Sequence, residues 1–235
     1  MKKLSVLITA AVLSVCMCMS SLASTEIGLN LDWKYAGNSK INTGKAVLYT
    51  TDVAESARKG ITVAVNAGHG TKGGGSVRTL CHPDGSKKVT GGSTAAGSTT
   101  ATAVSGGMTF ADGTAEPVAT LMVAESLKQK LLAGGYDVLM IRDDKDVQLD
   151  NIARTVIANN KADCHIAIHF DSTKSNKGVF FMSTPDALKS MEPVASYWQK
   201  HEKLGESLIA GLKASGMKVF SSGSMDMDLT QTSYS

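Results

Sequence analysis

The alternation of apolar and polar positions predicts strands and helices in turn along most of the chain. Residues 61–65 form a β-branched run that stops at a glycine-flanked His69, as expected of a buried strand that ends in a turn. Further strands are predicted at 136–141, 162–170 and 178–182. Strands that alternate with helices indicate an α/β fold, with a mainly parallel twisted sheet and helices on both faces.

Three amphipathic helices follow from apolar residues that recur three and four positions apart. The first begins near Glu116 and Pro117, since proline is tolerated in a first turn, and ends at Gly134. The second follows the apolar positions of 149–157 and the third those of 194–212. The buried stripe of the first helix is predicted to be Val118, Leu121, Ala124, Leu127 and Leu131.

Two segments lack such a pattern. Residues 24–59 are interpreted as an N-terminal leader, and residues 60–235 as a single domain. Within that domain, residues 71–113 are predicted to be a long insertion loop, with a hairpin near 83–85. Residues 91–107 are Gly, Ser, Thr or Ala except for Val104, a composition that is not expected to build a packed element. We therefore expect the loop to be largely mobile.

The first 23 residues have the pattern of a secretory signal peptide. Lys2 and Lys3 precede an apolar run over 4–19, and small residues follow up to Ala23. This predicts a secreted protein, located outside the cell or in the cell wall. The run is too short to predict stable insertion in a membrane.

Charge and cysteine content narrow the expected partners. Loss of Lys2 and Lys3 with the signal peptide reduces 24 basic residues to 22, against 21 acidic ones. This near-neutral balance gives no electrostatic reason to expect nucleic acid as a partner, and we expect a monomer. Cys81 and Cys164 remain, and the sequence leaves open whether they form a disulfide or two free thiols.

Three residues could form a metal site. His69 and His169 each stand at the end of a predicted strand, and the carboxyl ends of parallel strands meet at one edge of a sheet. Glu116 begins a helix, where backbone amides favour a carboxylate. Two imidazoles and one carboxylate, with a fourth position open, are typical of a catalytic zinc site.

The residues around these ligands resemble those of zinc-dependent N-acetylmuramoyl-L-alanine amidases, which are bacterial cell-wall hydrolases. The resemblance runs from about residue 61 to the end of the chain, apart from the insertion loop. It rests on Val63–Gly70, Glu116, Ile141–Asp144, Asn151–Arg154, Ala158–Asp163 and Ile166–Asp171. It implies an amidase-like catalytic domain in which His69, Glu116 and His169 bind Zn²⁺. The substrate would be the amide between N-acetylmuramic acid and L-alanine in peptidoglycan or muropeptides.

The chain departs from the family in two places. Thr120 replaces an asparagine one turn after the ligating glutamate, and we expect this to change helix packing. The family's general base is a second glutamate on a terminal strand, and 229–235 resembles the segment before that strand. We therefore expect the base beyond Ser235, so that no catalytic residue is assigned within the sequence. None of the other carboxylates considered is a good candidate, namely Glu192, Glu202, Glu206, Asp226 and Asp228.

Four further residues have a functional interpretation and an ordinary structural one. His165 is expected to be packed or hydrogen-bonded, and His82 to be a solvated loop residue rather than a cap on the metal. Arg142 and Arg154 are expected to form ion pairs or caps rather than to orient a peptide. Two other functions stay open: a weak or inactive cell-wall-binding module of the same fold, and a zinc peptidase or carboxypeptidase.

Overall fold

The computed structural model describes residues 23–235, and the signal-peptide prediction therefore lies outside the described residues except for Ala23. The helices are α1 (Glu116–Ala133), α2 (Asn151–Lys161), α3 (Trp198–Ala214) and α4 (Thr230–Tyr234). The strands are β1 (Ser24–Gly28), β2 (Lys45–Tyr49), β3 (Thr62–Ala67), β4 (Arg78–Leu80), β5 (Thr100–Thr102), β6 (Asp137–Met140), β7 (Cys164–Ile168), β8 (Val179–Ser183) and β9 (Val219–Asp226).

A five-stranded sheet in the order β1-β2-β6-β3-β7 forms the centre of the fold. β3 lies between β6 and β7 and is parallel to both, whereas β1 and β2 add antiparallel pairs at one side. Successive residues of β3 point to opposite faces. Val63 and Val65 pack towards α1, and Ala64 packs with residues of α2. The predicted α/β fold, with parallel core strands and helices on both faces, is confirmed.

The residues read as a leader, 24–59, supply β1 and β2 to this sheet. β2 pairs with both β1 and β6, and Ala46 is fully buried in the core on the α2 side. Each strand is only five residues long and is defined by its pairing with a distant strand, so no periodic signal marks it in the sequence.

The prediction that residues 91–107 build no packed element is wrong. β5 lies within this stretch and pairs with β4, while Ala103 and Val104 are buried. The small residues permit this packing, because a Cβ atom on Gly74 would lie 2.9 Å from the Val104 side chain. The predicted hairpin near 83–85 corresponds to a turn in which Gly85 N donates to His82 O, 3.0 Å away.

Helix α1 buries most of the predicted stripe, since Ala124 is fully buried and Leu121, Leu127 and Leu131 pack against the core. Val118 is 52% exposed, so its assignment to the buried face is wrong. The most deeply buried residues recur every fourth position from the first residue of the helix: Glu116, Thr120, Ala124, Lys128 and Leu132. This face directs Glu116 towards the carboxyl ends of β3 and β7, where the site described below lies.

The C-terminal third of the chain contains a separate β-α-β unit. β8 and β9 are parallel and form their own two-stranded sheet, with α3 connecting them in sequence. The helix crosses close to β8 at Gly205, where a Cβ atom would lie 2.2 Å from the Phe181 ring. The predicted strand at 178–182 is therefore present, but it lies outside the main sheet.

Two further points concern the described residues as a whole. Cys81 and Cys164 are free thiols, so no disulfide joins them. Among residues 23–235, no helix has the length and apolar character required to cross a membrane.

Candidate metal centre

The three ligands predicted from the sequence converge in the structure. His69 Nε2 lies 2.9 Å from Glu116 Oε1, and His169 Nδ1 lies 3.3 Å from the same oxygen. The two imidazole nitrogens are 3.1 Å apart. Within residues 23–235, this is the one group of three or more histidine, cysteine or acidic side chains whose ligand atoms fall within 4.8 Å of one another.

Adjacent parallel strands bring the two histidines together. β3 and β7 pair in register from Val63 with Cys164 to Ala67 with Ile168, and the next hydrogen bond joins Gly68 N to Ile168 O at 3.0 Å. Both ligands leave the sheet at this edge. His69 has a φ of 66°, in the left-handed region that non-glycine residues rarely occupy, so the surrounding structure must hold it there.

Glu116 is fixed through both carboxylate oxygens. Oε2 accepts from the backbone amide of Met108 at 2.9 Å, and Oε1 accepts from that of Phe170 at 2.8 Å. Burial alone would raise the pKa of this carboxyl group, but hydrogen bonds from His169, His69 and the two amides hold the pKa well below its usual range. The Glu116 side chain is thus a carboxylate anion that is buried from solvent.

His69 is oriented by a contact behind the ring. Its Nδ1 lies 2.8 Å from the backbone carbonyl oxygen of Ser105 and therefore donates to it. This contact directs Nε2 at Glu116 and His169, which is the arrangement that metal-ligating histidines commonly show. Ser105 belongs to the insertion loop, and no sequence pattern indicates this role, because a backbone oxygen makes the contact.

Glycines let the ligands approach one another. A Cβ atom on Gly68 would lie 2.4 Å from Cε1 of His169. A Cβ atom on Gly107 would lie 2.8 Å from both Glu116 Oε2 and the His69 ring, and Gly107 also has a φ of 80°. Any side chain at either position would displace a ligand.

Arg142 ties the first ligand turn to the start of α1. Its guanidinium group donates to Ala67 O at 3.1 Å, Gly68 O at 3.1 Å and Pro117 O at 2.8 Å. Thr120 completes the connection, since its hydroxyl group donates to Gly68 O and accepts from Arg142. The threonine that departs from the family pattern is therefore part of the packing around the ligands.

Arg154 holds the same turn from the α2 side. It donates to His69 O at 2.7 Å, Asn66 Oδ1 at 3.1 Å and Thr71 Oγ1 at 2.8 Å. Burial lowers the pKa of Arg142 to about 10 and that of Arg154 to about 9. The capping role expected for both arginines is what the contacts show, and their partners are the backbone and side-chain oxygens around the histidine.

The other histidines considered are not in this group. His82 is fully buried rather than solvated, with Nδ1 2.9 Å from Ser86 Oγ and Nε2 3.3 Å from Asp228 Oδ2. The expectation of a solvated loop residue is wrong, because the 71–113 segment packs on the C-terminal residues. His165 has a buried Nε2 with no hydrogen-bond partner. Burial, with a smaller contribution from Arg154, lowers its pKa to about 4.

The carboxylates considered from the sequence are engaged elsewhere. Asp228 accepts from Lys88 Nζ at 2.9 Å and from the Thr90 amide at 3.0 Å. Asp226 accepts from Ser183, and Glu202 accepts from the Thr184 amide at 2.8 Å. Glu192 and Glu206 likewise do not join the metal-ligand group.

Comparison with known protein families gives a match over most of the chain. The family model described as N-acetylmuramoyl-L-alanine amidase matches residues 63–234. The chain belongs to this family. The matched range includes the three candidate ligands, His69, Glu116 and His169. No curated protein matches the sequence significantly.

Solved structures of similar fold support the same assignment of architecture. The N-acetylmuramyl-L-alanine amidase Ami1 from Mycobacterium smegmatis is 17% identical with a TM-score of 0.53, over 74% of this chain and 76% of that chain. The apo form of Ami1 from Mycobacterium abscessus is 19% identical with a TM-score of 0.52, over 74% of this chain and 78% of that one. At these identities the likeness concerns the fold of the amidase domain.

The donor set of the site fits a zinc ion. Two imidazole nitrogens and one carboxylate oxygen are typical ligands of an open catalytic zinc site, and here the three candidate ligand atoms lie within 4.8 Å of one another. His169 is the most accessible of the three, with 26% of its side chain exposed against 8% for His69 and 3% for Glu116. The site therefore opens towards solvent on the His169 side.

Proposed function

We propose that this protein is a zinc-dependent hydrolase that cleaves the amide between N-acetylmuramic acid and L-alanine in peptidoglycan. The observation that carries the proposal is the convergence of His69, Glu116 and His169 within a chain of the amidase family. The ligands come from three different elements, two strand ends and one helix start, and hydrogen bonds from Arg142 and the Phe170 amide connect these elements.

The three side chains would hold the metal, and each is prepared for this by its neighbours. A bound zinc ion supplies Lewis acidity, which polarises an amide carbonyl and lowers the pKa of water. Glu116 keeps its negative charge because two backbone amides and the histidines stabilise the anion. Arg142 and Arg154 hold the backbone of the His69 turn, so that its imidazole is pre-oriented.

The proton acceptor of the reaction is proposed to be a group other than the ligands. Both oxygens of Glu116 accept backbone hydrogen bonds, and Nδ1 of His69 is engaged with Ser105 O. Neither residue therefore has a free basic atom apart from the one turned to the metal position. The family resemblance assigns this role to a glutamate, and a positioned base typically contributes a factor of about 10²–10⁴ to the rate.

We also propose that the protein acts as a secreted monomer on the cell wall. The signal-peptide pattern of residues 1–23 supports export, and a peptidoglycan substrate is consistent with the family. The nearly balanced charge of the chain gives no reason to invoke nucleic acid.

Mass spectrometry of muropeptide digests tests the reaction. The purified protein is incubated with N-acetylmuramoyl peptides, with and without a chelator and after zinc is restored. We expect a free stem peptide that begins with L-alanine, loss of this product with chelator and its return with zinc. His169→Ala should behave like the chelated protein, whereas His201→Ala, outside the ligand group, should retain the activity.

Other products would decide against the proposal. Release of a C-terminal amino acid from the stem peptide would make the protein a zinc peptidase. Release of the stem peptide at an undiminished rate in His169→Ala would show that the cluster is not the active site. Binding of muropeptides with no cleavage would favour the binding-module alternative.

A further inference from the structure

A buried charge pair holds the insertion loop to the C-terminal segment of the chain. Lys88 and Asp228 are both buried, and Lys88 Nζ lies 2.9 Å from the Asp228 carboxylate. The carboxylate also accepts from the backbone amides of Val89 at 2.5 Å and Thr90 at 3.0 Å, and from the Thr90 hydroxyl group. One side chain therefore fixes three consecutive residues of the loop.

Backbone hydrogen bonds connect this fixed point with the β4–β5 pair. Lys88 N donates to Ser98 O and Gly97 N donates to Lys88 O, both at 2.8 Å, and the chain then enters β5. β5 pairs with β4, and the residue after β4, Cys81, accepts from the Ser233 hydroxyl group at 2.7 Å through its carbonyl oxygen. Both strands of the pair are thus held by residues of the C-terminal segment.

The residues that follow β5 lead directly to His69. Ala103 and Val104 are buried, and Ala103 N donates to Val77 O at 2.8 Å. Ser105 comes next, and its carbonyl oxygen lies 2.8 Å and its hydroxyl oxygen 3.2 Å from His69 Nδ1. A partner behind a ligating imidazole sets the orientation of the ring, so a shift of Ser105 would turn His69.

The other two candidate ligands are fixed by contacts outside this path. Glu116 accepts from the amide of Phe170, which directly follows His169 at the end of β7. Glu116 and Met108 also bond reciprocally, because Met108 N donates to Glu116 Oε2 and Glu116 N donates to Met108 O, both at 2.9 Å. This local turn holds Met108 to the start of α1, so the path from Asp228 bears on one ligand of the three.

We propose that Asp228 is a positioning residue of the metal centre, which acts through the insertion loop and Ser105 to fix the His69 imidazole with Nε2 facing Glu116 and His169. The inference rests on the proposed function, since it concerns the same metal site. Its physical basis is that a buried, hydrogen-bonded ion pair is costly to break once one partner is removed. The pair therefore holds one conformation of a loop whose composition alone would allow many.

Proton NMR of the metal-free protein tests the link without zinc or turnover. The rate at which the His69 Nδ1–H exchanges with water reports how firmly Ser105 holds the ring. In Asp228→Asn this exchange should be about tenfold faster, as should that of the Ala103 amide, because local opening of the loop becomes more frequent. The amides of Met108 and Phe170 should exchange as in the parent protein, since the local turn and β7 hold them.

Zinc affinity provides a second readout. Competition with a chromogenic chelator should give a Kd for zinc about tenfold higher in Asp228→Asn, as when a residue that orients a metal ligand is replaced. Thr90→Val is a milder variant, because it removes the hydroxyl bond to Asp228 and leaves the ion pair with Lys88. It should change both readouts in the same direction by less, and it decides the question if Asp228→Asn does not fold.

Two controls separate positioning from a general loss of stability. Asp226→Asn makes the same chemical change two residues earlier, at an exposed residue that accepts from Ser183, and should leave both readouts unchanged. Leu188→Ala removes a fully buried side chain from the C-terminal unit. It should lower the unfolding midpoint without a selective effect on His69 or Ala103.

Several results would overturn the inference. Unchanged His69 Nδ1–H exchange in both Asp228→Asn and Thr90→Val would show that the loop holds Ser105 without Asp228. Equal losses of protection at Met108, Phe170 and Ala103 would indicate general destabilisation. Faster His69 exchange with an unchanged Kd for zinc would show that the Ser105 contact does not position the ligand.

Failure of the proposed function has a different signature. The His69 ring would still respond to Asp228→Asn in the metal-free protein, whereas the parent protein would bind no zinc or release no stem peptide.

Discussion

At the scale of single residues, the geometry of the candidate ligands depends on glycines, because a side chain at these positions would collide with a ligand. Gly68 precedes His69 in sequence, and its α-carbon faces the His169 ring in space. A methyl group there would sit 2.4 Å from Cε1 of His169, well inside van der Waals contact. The imidazole must move to accommodate it, so the two histidines are coupled through a glycine.

Gly68→Ala should therefore impair metal binding more than folding. We expect the Kd for zinc to rise by about 10- to 100-fold, the range seen when the surroundings of a ligand are disturbed. Competition with a chromogenic chelator measures the affinity. Gly37→Ala is the control, because a Cβ atom at Gly37 meets nothing within 4 Å. Equal affinities in both variants would show that the His169 ring is not held as described.

His165 should make the fold sensitive to mild acid. Its pKa is lowered from 6.5 to about 4, first by burial and then by the nearby Arg154. Between these values the unfolded chain takes up a proton that the folded protein does not, so stability falls as the pH drops from 6.5 to 4. The loss amounts to about 3 kcal/mol, whereas above pH 6.5 the group contributes nothing.

Denaturant unfolding of His165→Leu at pH 6.5 and 4.5 checks this prediction. Both proteins are measured with a chelator present, so that metal release does not contribute to the pH dependence. The variant should lose less stability than the parent protein over this interval. Identical losses would mean that His165 is solvated or hydrogen-bonded in the folded state.

At the scale of elements, periodic segments could be predicted and segments defined by distant partners could not. α1 and α2 carry a helical period in their own residues, and β3 and β7 are short apolar runs that pack against the core. β1 and β2 are recognisable only by their pairing with each other and with β6. The antiparallel pair of β4 and β5 is likewise recognisable only by the pairing of its two strands, which composition does not reveal.

The 71–113 segment is anchored to the chain's last residues through Asp228. This fully buried carboxylate accepts from Lys88 Nζ at 2.9 Å and from the amide of Thr90 at 3.0 Å, and Nε2 of His82 lies 3.3 Å from it. Hydrogen bonds from Thr90 and Lys88 outweigh burial, which alone would raise the pKa of Asp228, and hold it below its usual value. Prediction from the sequence missed this because the partners are about 140 residues apart.

Asp228→Asn should loosen this segment. The neutral amide leaves Lys88 buried without a counter-charge, which costs about 3–5 kcal/mol. Denaturant unfolding measures the stability, and limited proteolysis should then cut the variant first within 71–113. Asp186→Asn is the control, since the Asp186 side chain is 96% exposed. A variant as stable and as resistant as this control would contradict the anchoring.

At the scale of the whole molecule, the candidate metal ligands could be predicted from the sequence. The residues that hold those ligands in place could not. The ligands could be assigned because strand ends and a helix start have recognisable local patterns, and the resemblance joined them. Arg142 and Arg154 act on backbone carbonyls, which leave no trace in a sequence. The same is true of Ser105 and Met108, whose backbone atoms hold the ligands from within a low-complexity loop.

Metal binding should stabilise the entire fold, because the ligands join β3, β7 and α1. A ligand that binds only the folded state at 1,000 times its Kd adds about 4 kcal/mol. Thermal unfolding should therefore show a Tm that falls with a chelator and recovers with zinc. His169→Ala should show a lower response to both additions. A Tm that stays the same with chelator and with zinc would mean that the cluster binds no metal.

Zinc content determined by elemental mass spectrometry tests the central claim most directly. The protein and its variants are purified alike, loaded with zinc and freed of excess metal. The account predicts about one zinc per chain in the parent protein and in His201→Ala, and close to none in His69→Ala or His169→Ala. Undiminished zinc in both ligand variants would contradict the assignment of His69, Glu116 and His169 as the metal centre.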